Sequence, residues 1–163
     1  MIRTAHSGEY HFLTDIAFAS KRYWGYPERY FDVWCKELTI NAEYIECNRV
    51  FVYEEDETPQ AFYSLVHLAD GYAGGRIRLC AGWWLDHMFV HPRSIGRGIG
   101  RSLFRHMEKY CLQHGIRQVH ILADPHAQTF YEKMDCVYIT EKESSIEGRT
   151  TPYLIRHIPK QIS

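Results

Sequence analysis

The chain has 163 residues, of which 45% are hydrophobic and 15% aromatic, and its formal net charge is −1. That length suits one domain of ordinary size, and that composition supports a packed core, which excludes a disordered or low-complexity chain. A charge so near zero excludes a general polyanion binder, so neither nucleic acid nor an acidic membrane surface is expected as a partner.

Phe12, Leu13, Ile16, Ala17 and Tyr23 recur at helical spacing and predict a first helix, capped by Ser7 and stopped by Gly25. Pro27 opens a second short helix with Tyr30, Phe31, Trp34 and Leu38 as its buried stripe. The pattern then changes to a strand, "RVFVYEE", from Arg49. The turn residues "DETP" lead into another, "QAFYSLVHL". Gly71, Gly74 and Gly75 predict a further turn, and "RIRLCAGWWLDHMFV" reads as one long strand or two, with Gly82 an irregularity.

Pro92 ends that strand. Ile99, Leu103, Met107 and Tyr110 then form the apolar side of a helix, with Arg101, Arg105, Glu108 and Lys109 opposite and Gly115 at its end. "RQVHILA" is a short strand, and Asp124 with Pro125 caps and starts a helix over "PHAQTFYEKM". The tail, "CVYITEK" to "TTPYLIRHI", reads as a hairpin or two crossing strands. No repeat or linker divides the chain, so residues 1–163 are expected to form a single α+β domain with one mixed sheet and helices packed on it. No apolar run reaches the roughly 20 residues of a membrane span, and the start lacks the apolar stretch of a secretory signal. Five scattered cysteines without a CxxC pair read as reduced thiols in a cytoplasmic protein. Ten histidines show no metal-ligand spacing, so no metal is expected.

"HPRSIGRGIGRSLF" carries the sharpest chemistry. A strand that ends in a glycine-rich turn and feeds a helix presents unpaired amides and the positive end of a helix dipole to an anion. Glycines let a phosphate approach the backbone, and Arg97 and Arg101 add bidentate donors, so a pyrophosphate is expected on the amides from Gly96 to Ser102. The third glycine comes one residue early for a dinucleotide fingerprint, and Arg101 stands where a P-loop needs lysine. A tight turn that binds nothing fits the spacing equally well.

"LDHMFVHPRSIGRGIGRSLF" closely resembles the acetyl-CoA-binding segment of the GNAT N-acetyltransferase superfamily, a strand, a proline, [RQ]-x-x-G-x-[GA] and a helix. Leu85, Met88, Val90 and Pro92 take the strand positions, and Gly98 and Gly100 the glycine positions. "DPHAQTFYEKMDC" resembles the family's second motif at Ala127, Phe130, Tyr131, Glu132 and Lys133. Four positions depart from the pattern: Ile95 replaces Arg/Gln, Asp124 replaces asparagine, and Asp135-Cys136 replaces Gly-Phe.

The resemblance implies a mostly antiparallel sheet of six or seven strands, splayed at the middle and flanked by about four helices. It also implies direct acetyl transfer from acetyl-CoA to a primary amine of a small molecule or peptide. Met88, Phe89, Val90, Arg93, Ile95, Gly96, Arg97, Gly98, Ile99, Gly100, Arg101 and Ser102 would hold the coenzyme, with Asp124, Ala127 and Phe130 from the second motif. Tyr131 is the implied proton donor to the departing thiolate, since a phenol stays protonated at neutral pH. Core packing is the alternative for that aromatic, at helical spacing from Ala127 and Met134. Asp86 is the candidate base for the ammonium proton, with surface pairing to an arginine as its alternative; His91 and His120 are weaker candidates. Tyr23, Trp24, Tyr26, Glu28 and Tyr30 would border the acceptor, although each aromatic serves equally well as core. Dimers are common in the family, but nothing in this sequence specifies a homodimer interface. The rival function is a CoA-binding sensor or interaction module of the same fold without turnover.

Overall fold

A computed structural model describes residues 1–161. The chain divides into two compact units, residues 1–65 with 87–103, and residues 66–86 with those from Phe104 onward.

In the first unit β1 (Ile2–Thr4), β2 (Arg49–Glu55) and the start of β3 (Thr58–Leu68) pair antiparallel, with Arg3 opposite Val52 and Phe51 opposite Tyr63. The turn between β2 and β3 places Asp56 and Glu57 at φ 47° and 60°, the double left-handed geometry that matches strand twist. β3 therefore begins two residues earlier than its apolar run suggested. Its residues from Pro59 to Leu65 are buried without a break, as befits an inner strand covered on both faces.

Three helices precede and follow these strands in the chain: α1 (Tyr10–Tyr23), α2 (Glu28–Leu38) and α3 (Ala42–Cys47). Leu13, Ile16 and Ala17 of α1 and Phe31, Trp34 and Leu38 of α2 are buried. Ser7 does not cap α1. It starts a 3-10 turn, Ser7–Glu9, in which the His6 N–H donates to Glu9 Oε2 at 2.7 Å. α3 was not expected, because six residues are too few to show a period; Asn41 caps it, its Oδ1 accepting from the Tyr44 N–H at 2.7 Å.

In the second unit β4 (Tyr72–Gly74) and β5 (Ile77–Leu79) form a small hairpin where only a glycine turn was expected. β6 (Gly82–Val90) runs from this unit into the first, opening at Gly82 with φ 130°. The long apolar segment is thus two strands. β6 pairs in parallel with β7 (Gln118–Leu122), from Trp83 opposite Val119 to Leu85 opposite Ile121. β8 (Val137–Glu143) and β9 (Thr150–His157) are the expected hairpin, and β9 also pairs antiparallel with β7.

The larger sheet has seven strands in the order β1-β2-β3-β6-β7-β9-β8, with β4-β5 separate. The expected α+β architecture with a mostly antiparallel mixed sheet is therefore what the chain forms; the described helices number five rather than about four, with α3 the addition. α4 (Ile99–Gln113) starts and stops as the sequence indicated, and Gly115 closes it at φ 70°. Its buried face is Ile99, Leu103, Phe104, Met107 and Cys111, not Tyr110, which is half-buried and stacks on His114 at 3.9 Å. Glu108, expected on the solvent side, is 1% exposed because Arg156 of β9 neutralises it at 2.7 Å. The last helix is shorter than its motif: a 3-10 turn, Pro125–Ala127, leads into α5 (Gln128–Lys133). No helix among the described residues is long and apolar enough to cross a membrane.

Candidate functional site

The glycine turn is built by residues of the first unit. After β6 the His91 N–H donates to the Gln60 carbonyl at 2.8 Å, and Pro92–Ser94 form a 3-10 turn capped by His91, whose Nδ1 accepts from the Arg93 N–H at 3.2 Å. Gln60 is the hub of this entry. Its Oε1 accepts from Arg93 Nε and from Ser94 Oγ, both at 3.0 Å, and the residue is 9% exposed. Burial, with the neighbouring Arg93 charge, holds the His91 imidazole below its ordinary pKa, which keeps Nδ1 available as an acceptor.

Beyond this anchor the chain turns outward. Ile95, Gly96, Arg97 and Gly98 are exposed, while Ile99 is buried. Gly96 and Gly98 lie at φ 83° and 78°, a region costly for any other residue, and a Cβ on either would meet nothing within 4 Å. The first α-helical bond runs from the Ser102 N–H to the Gly98 carbonyl at 3.0 Å. The amides just before Ser102 therefore have no intrahelical acceptor. The positive end of a fifteen-residue helix stands at an open glycine cradle, the local chemistry of an anion site.

The arginines near this turn are differently placed. Arg97 is bound in a fork to Glu55, with Nη1–Oε2 at 3.0 Å and Nη2–Oε1 at 2.7 Å, so contact with an anion requires it to leave that carboxylate. The Arg97 fork in turn holds the Glu55 carboxyl below its ordinary range. Arg93 is tied to Gln60, and Arg101 and Ser102 are exposed at the start of α4. Met88, Phe89 and Val90 are half-buried on β6, where His87 and Phe89, ring centroids 5.6 Å apart, both lie against Phe62.

The aromatic residues of α1 and α2 separate into two groups. Tyr23 and Trp24 are exposed and touch edge-to-face at 4.9 Å. Tyr26 and Tyr30 pack on the buried Trp34 at 5.0 and 5.4 Å, and Lys21 Nζ stands 4.5 Å over the Trp34 ring and 5.6 Å over Tyr26. Glu28, read as a cation attractor, already has one, since Arg22 Nη1 lies 2.7 and 2.9 Å from its carboxylate oxygens.

Asp86, Asp124, Ala127, Phe130 and Tyr131 belong to the second unit, whereas residues 88–102 belong to the first. Tyr131 is 6% exposed beside Phe130 and Phe104, and burial pushes its phenol well above the ordinary value, so it stays protonated through neutral pH. Asp124 caps the 3-10 turn, Oδ1 accepting from the His126 N–H at 2.9 Å. Asp135 occupies the left-handed position after α5 at φ 63°, and the Cys136 N–H closes onto the Tyr131 carbonyl at 3.0 Å. The aspartate thus performs the glycine's part in that turn. Asp86 is exposed near the middle of β6.

Gln60 and Glu55 are the residues that sequence reasoning missed. Gln60 had a signal, a polar side chain at the head of an apolar strand run; Glu55 had none, because its partner is distant in the chain.

Three comparisons bear on this arrangement. The family model of the acetyltransferase (GNAT) domain matches residues 46–135. Among solved structures, a GCN5-related N-acetyltransferase from Rhodopseudomonas palustris superposes with a TM-score of 0.74 at 18% identity, covering 96% of this chain and 94% of that one. The PaiA N-acetyltransferase from Thermoplasma acidophilum, in complex with coenzyme A, gives 0.71 at 19% identity, over 96% and 98%. The ribosomal-protein-S18-alanine N-acetyltransferase from Escherichia coli gives 0.65 at 14% identity, over 100% and 95%. These likenesses are of fold. No curated protein matches the chain in sequence.

Proposed function

The chain belongs to the GNAT acetyltransferase family, and from that premise we propose that residues 1–163 act as one acetyltransferase domain, moving acetyl from acetyl-CoA to a primary amine of a small molecule or peptide. The observation that carries this reading is the glycine turn: Gly96 and Gly98 left-handed, with open space where side chains would stand, at the head of α4 and inside the matched segment. A diphosphate fits such a cradle, because it needs amide donors and close backbone approach rather than a particular side chain.

Acetyl-CoA supplies an activated carbonyl and a thiol leaving group. In this reading the amides from Gly96 to Ser102 hold the diphosphate, with Arg101 contributing charge from the first turn of α4. The main chain of Met88–Val90 pairs with the pantetheine arm and polarises the thioester carbonyl. Tyr131 donates to the departing sulfur, a role suited to a phenol that burial keeps protonated. Asp86 begins the path that removes the ammonium proton, because an alkyl amine near its reference pKa of about 10.4 is otherwise cationic and unreactive. Tyr23, Trp24, Tyr26, Tyr30 and Glu28 border the acceptor. Scattered free thiols suit a cytoplasmic setting.

The test is release of free thiol from acetyl-CoA across a panel of amines, beside thermal stabilisation by CoA. Stabilisation with release is expected for at least one amine, and Tyr131→Phe should lower turnover about a hundredfold while leaving acetyl-CoA affinity near that of the parent. Equal turnover would remove Tyr131 from the chemistry. Stabilisation without release for any amine would favour the CoA-sensing module, and no stabilisation by CoA would end both readings.

A further inference from the structure

In the second unit, away in sequence from the glycine turn, an exposed thiol meets a buried imidazole. Cys80 follows β5, and its Sγ lies 3.7 Å from Nε2 and 3.8 Å from Nδ1 of His120 on β7, a residue 8% exposed. Nδ1 of His120 is 2.6 Å from the Tyr153 hydroxyl, which is itself 4.0 Å from the same sulfur. The ring is clamped: Trp84 stacks on it at 4.9 Å and Tyr153 at 5.9 Å. The Trp84 Nε1–H also donates to the Cys80 carbonyl at 2.9 Å, fixing the backbone that carries the thiol. Gly82 leaves Nε2 uncrowded, since a Cβ there would stand 3.1 Å from it.

These contacts close a proton circuit. With Nδ1–H donating to the Tyr153 oxygen and the Tyr153 O–H directed to sulfur, Nε2 carries the free lone pair and takes the thiol proton. Burial, with His157 and Lys142 nearby, holds the His120 imidazole below its ordinary pKa, so that Nε2 is unprotonated at neutral pH and open to the thiol proton. Leu79, the residue before Cys80, lines a cavity of about 110 Å³ with Leu122, and the charges on its walls are Arg76, Arg78 and Lys142 against the single acid Glu143. Lys142 joins cavity and cluster, with Nζ 5.2 Å over the Tyr153 ring and 3.1 Å from the Arg78 carbonyl oxygen.

We propose that Cys80 is a nucleophilic modification site that exchanges with small anionic disulfides to form a mixed disulfide. The Sγ–H proton moves to Nε2 of His120, and the thiolate attacks one sulfur of the incoming disulfide. The new S–S bond forms as the old one breaks, and the released thiolate takes the proton back from His120. The exchange consumes one disulfide and returns one thiol, with no further oxidant. The basic rim selects anionic partners, because it attracts their carboxylates. Cys35 and Cys47, the other exposed cysteines, are internal standards for an ordinary surface thiol.

The folded chain is treated at pH 7 with dithionitrobenzoate, a dianionic disulfide, or with neutral dithiodipyridine, and labelling is assigned by peptide mapping. Cys80 should react roughly tenfold faster than Cys35 and Cys47 with the dianion, and the advantage should shrink with the neutral reagent. Tyr153→Phe, which keeps the stacked ring and deletes only the oxygen, should bring Cys80 down toward the rate of the other two, as should His120→Asn wherever circular dichroism shows it folded. Arg78→Ala with Lys142→Ala should erase the preference for the dianion. Equal labelling of the three cysteines, or an unaltered Cys80 rate in Tyr153→Phe, would overturn the proposal. An equal advantage with both reagents would overturn the anionic class of partner.

Discussion

Two turns, one from each unit, put left-handed residues to opposite uses. The turn after β6 is anchored on its entry side by Gln60 and His91, then exposes Gly96 and Gly98 with nothing in front of them. The turn after α5 folds inward: Tyr131, Met134 and Cys136 are buried, and the Cys136 amide is spent on the Tyr131 carbonyl. Arg156 completes this closure, donating to the Asp135 carbonyl at 3.4 Å while paired with the buried Glu108. Left-handed geometry alone therefore does not mark a binding site. What distinguishes the first turn is that its amides are left over.

The sharpest break falls on the closed turn. Arg156→Met leaves the Glu108 carboxylate, 1% exposed, to the more distant Arg105 at 3.5 Å, and should cost about 3 kcal/mol in a urea titration; adding Glu108→Leu should recover part of it. At the open turn, Gly98→Glu brings bulk and negative charge to the cradle and should weaken CoA binding at least about a hundredfold by calorimetry, while its left-handed φ costs about 1 kcal/mol of stability, too little to unfold the chain. An unchanged affinity would mean the cradle is not the diphosphate site. Asp135→Gly relieves an unfavourable φ at the closed turn and should stabilise by up to about 1 kcal/mol without touching CoA affinity.

The smallest effect is one of pH. His91 accepts a backbone hydrogen bond only when neutral, and its folded pKa lies below the ordinary histidine value. Its contribution is therefore fully present above about pH 6.5 and is lost as pH falls through the lower folded value. His91→Asn keeps an acceptor that does not titrate. The urea midpoint of the variant should gain on the parent between pH 7.5 and pH 5.5, and a constant difference would take His91 out of the acid response.

Local features were legible from the residues alone. β2 was read to the residue because Val50, Phe51 and Val52 sit in an unbroken β-forming run, and α4 was bounded by the periodic run from Ile99 and by Gly115. The left-handed turn at Gly96 and Gly98 was legible too, whereas Gly100, the third of the alternating glycines, lies inside α4. Features set by distant partners were not. A helical wheel puts Glu108 in water because it cannot see Arg156, 48 residues on. Arg97 reads as a free phosphate donor until Glu55, 42 residues earlier, is found holding it. Tyr26 and Glu28, expected to face an acceptor and its cation, are met instead by the chain's own Lys21 and Arg22.

The three-residue ladder between β6 and β7 bears on how quickly the chain finds its native state. Parallel neighbours cannot be joined by a tight turn, so everything from Asp86 to Gln118, α4 included, must be gathered before Trp83, Trp84 and Leu85 meet Val119, His120 and Ile121. So few rungs repay that loop closure poorly, and the β8–β9 hairpin, joined locally, should zip up well before the centre of the sheet does.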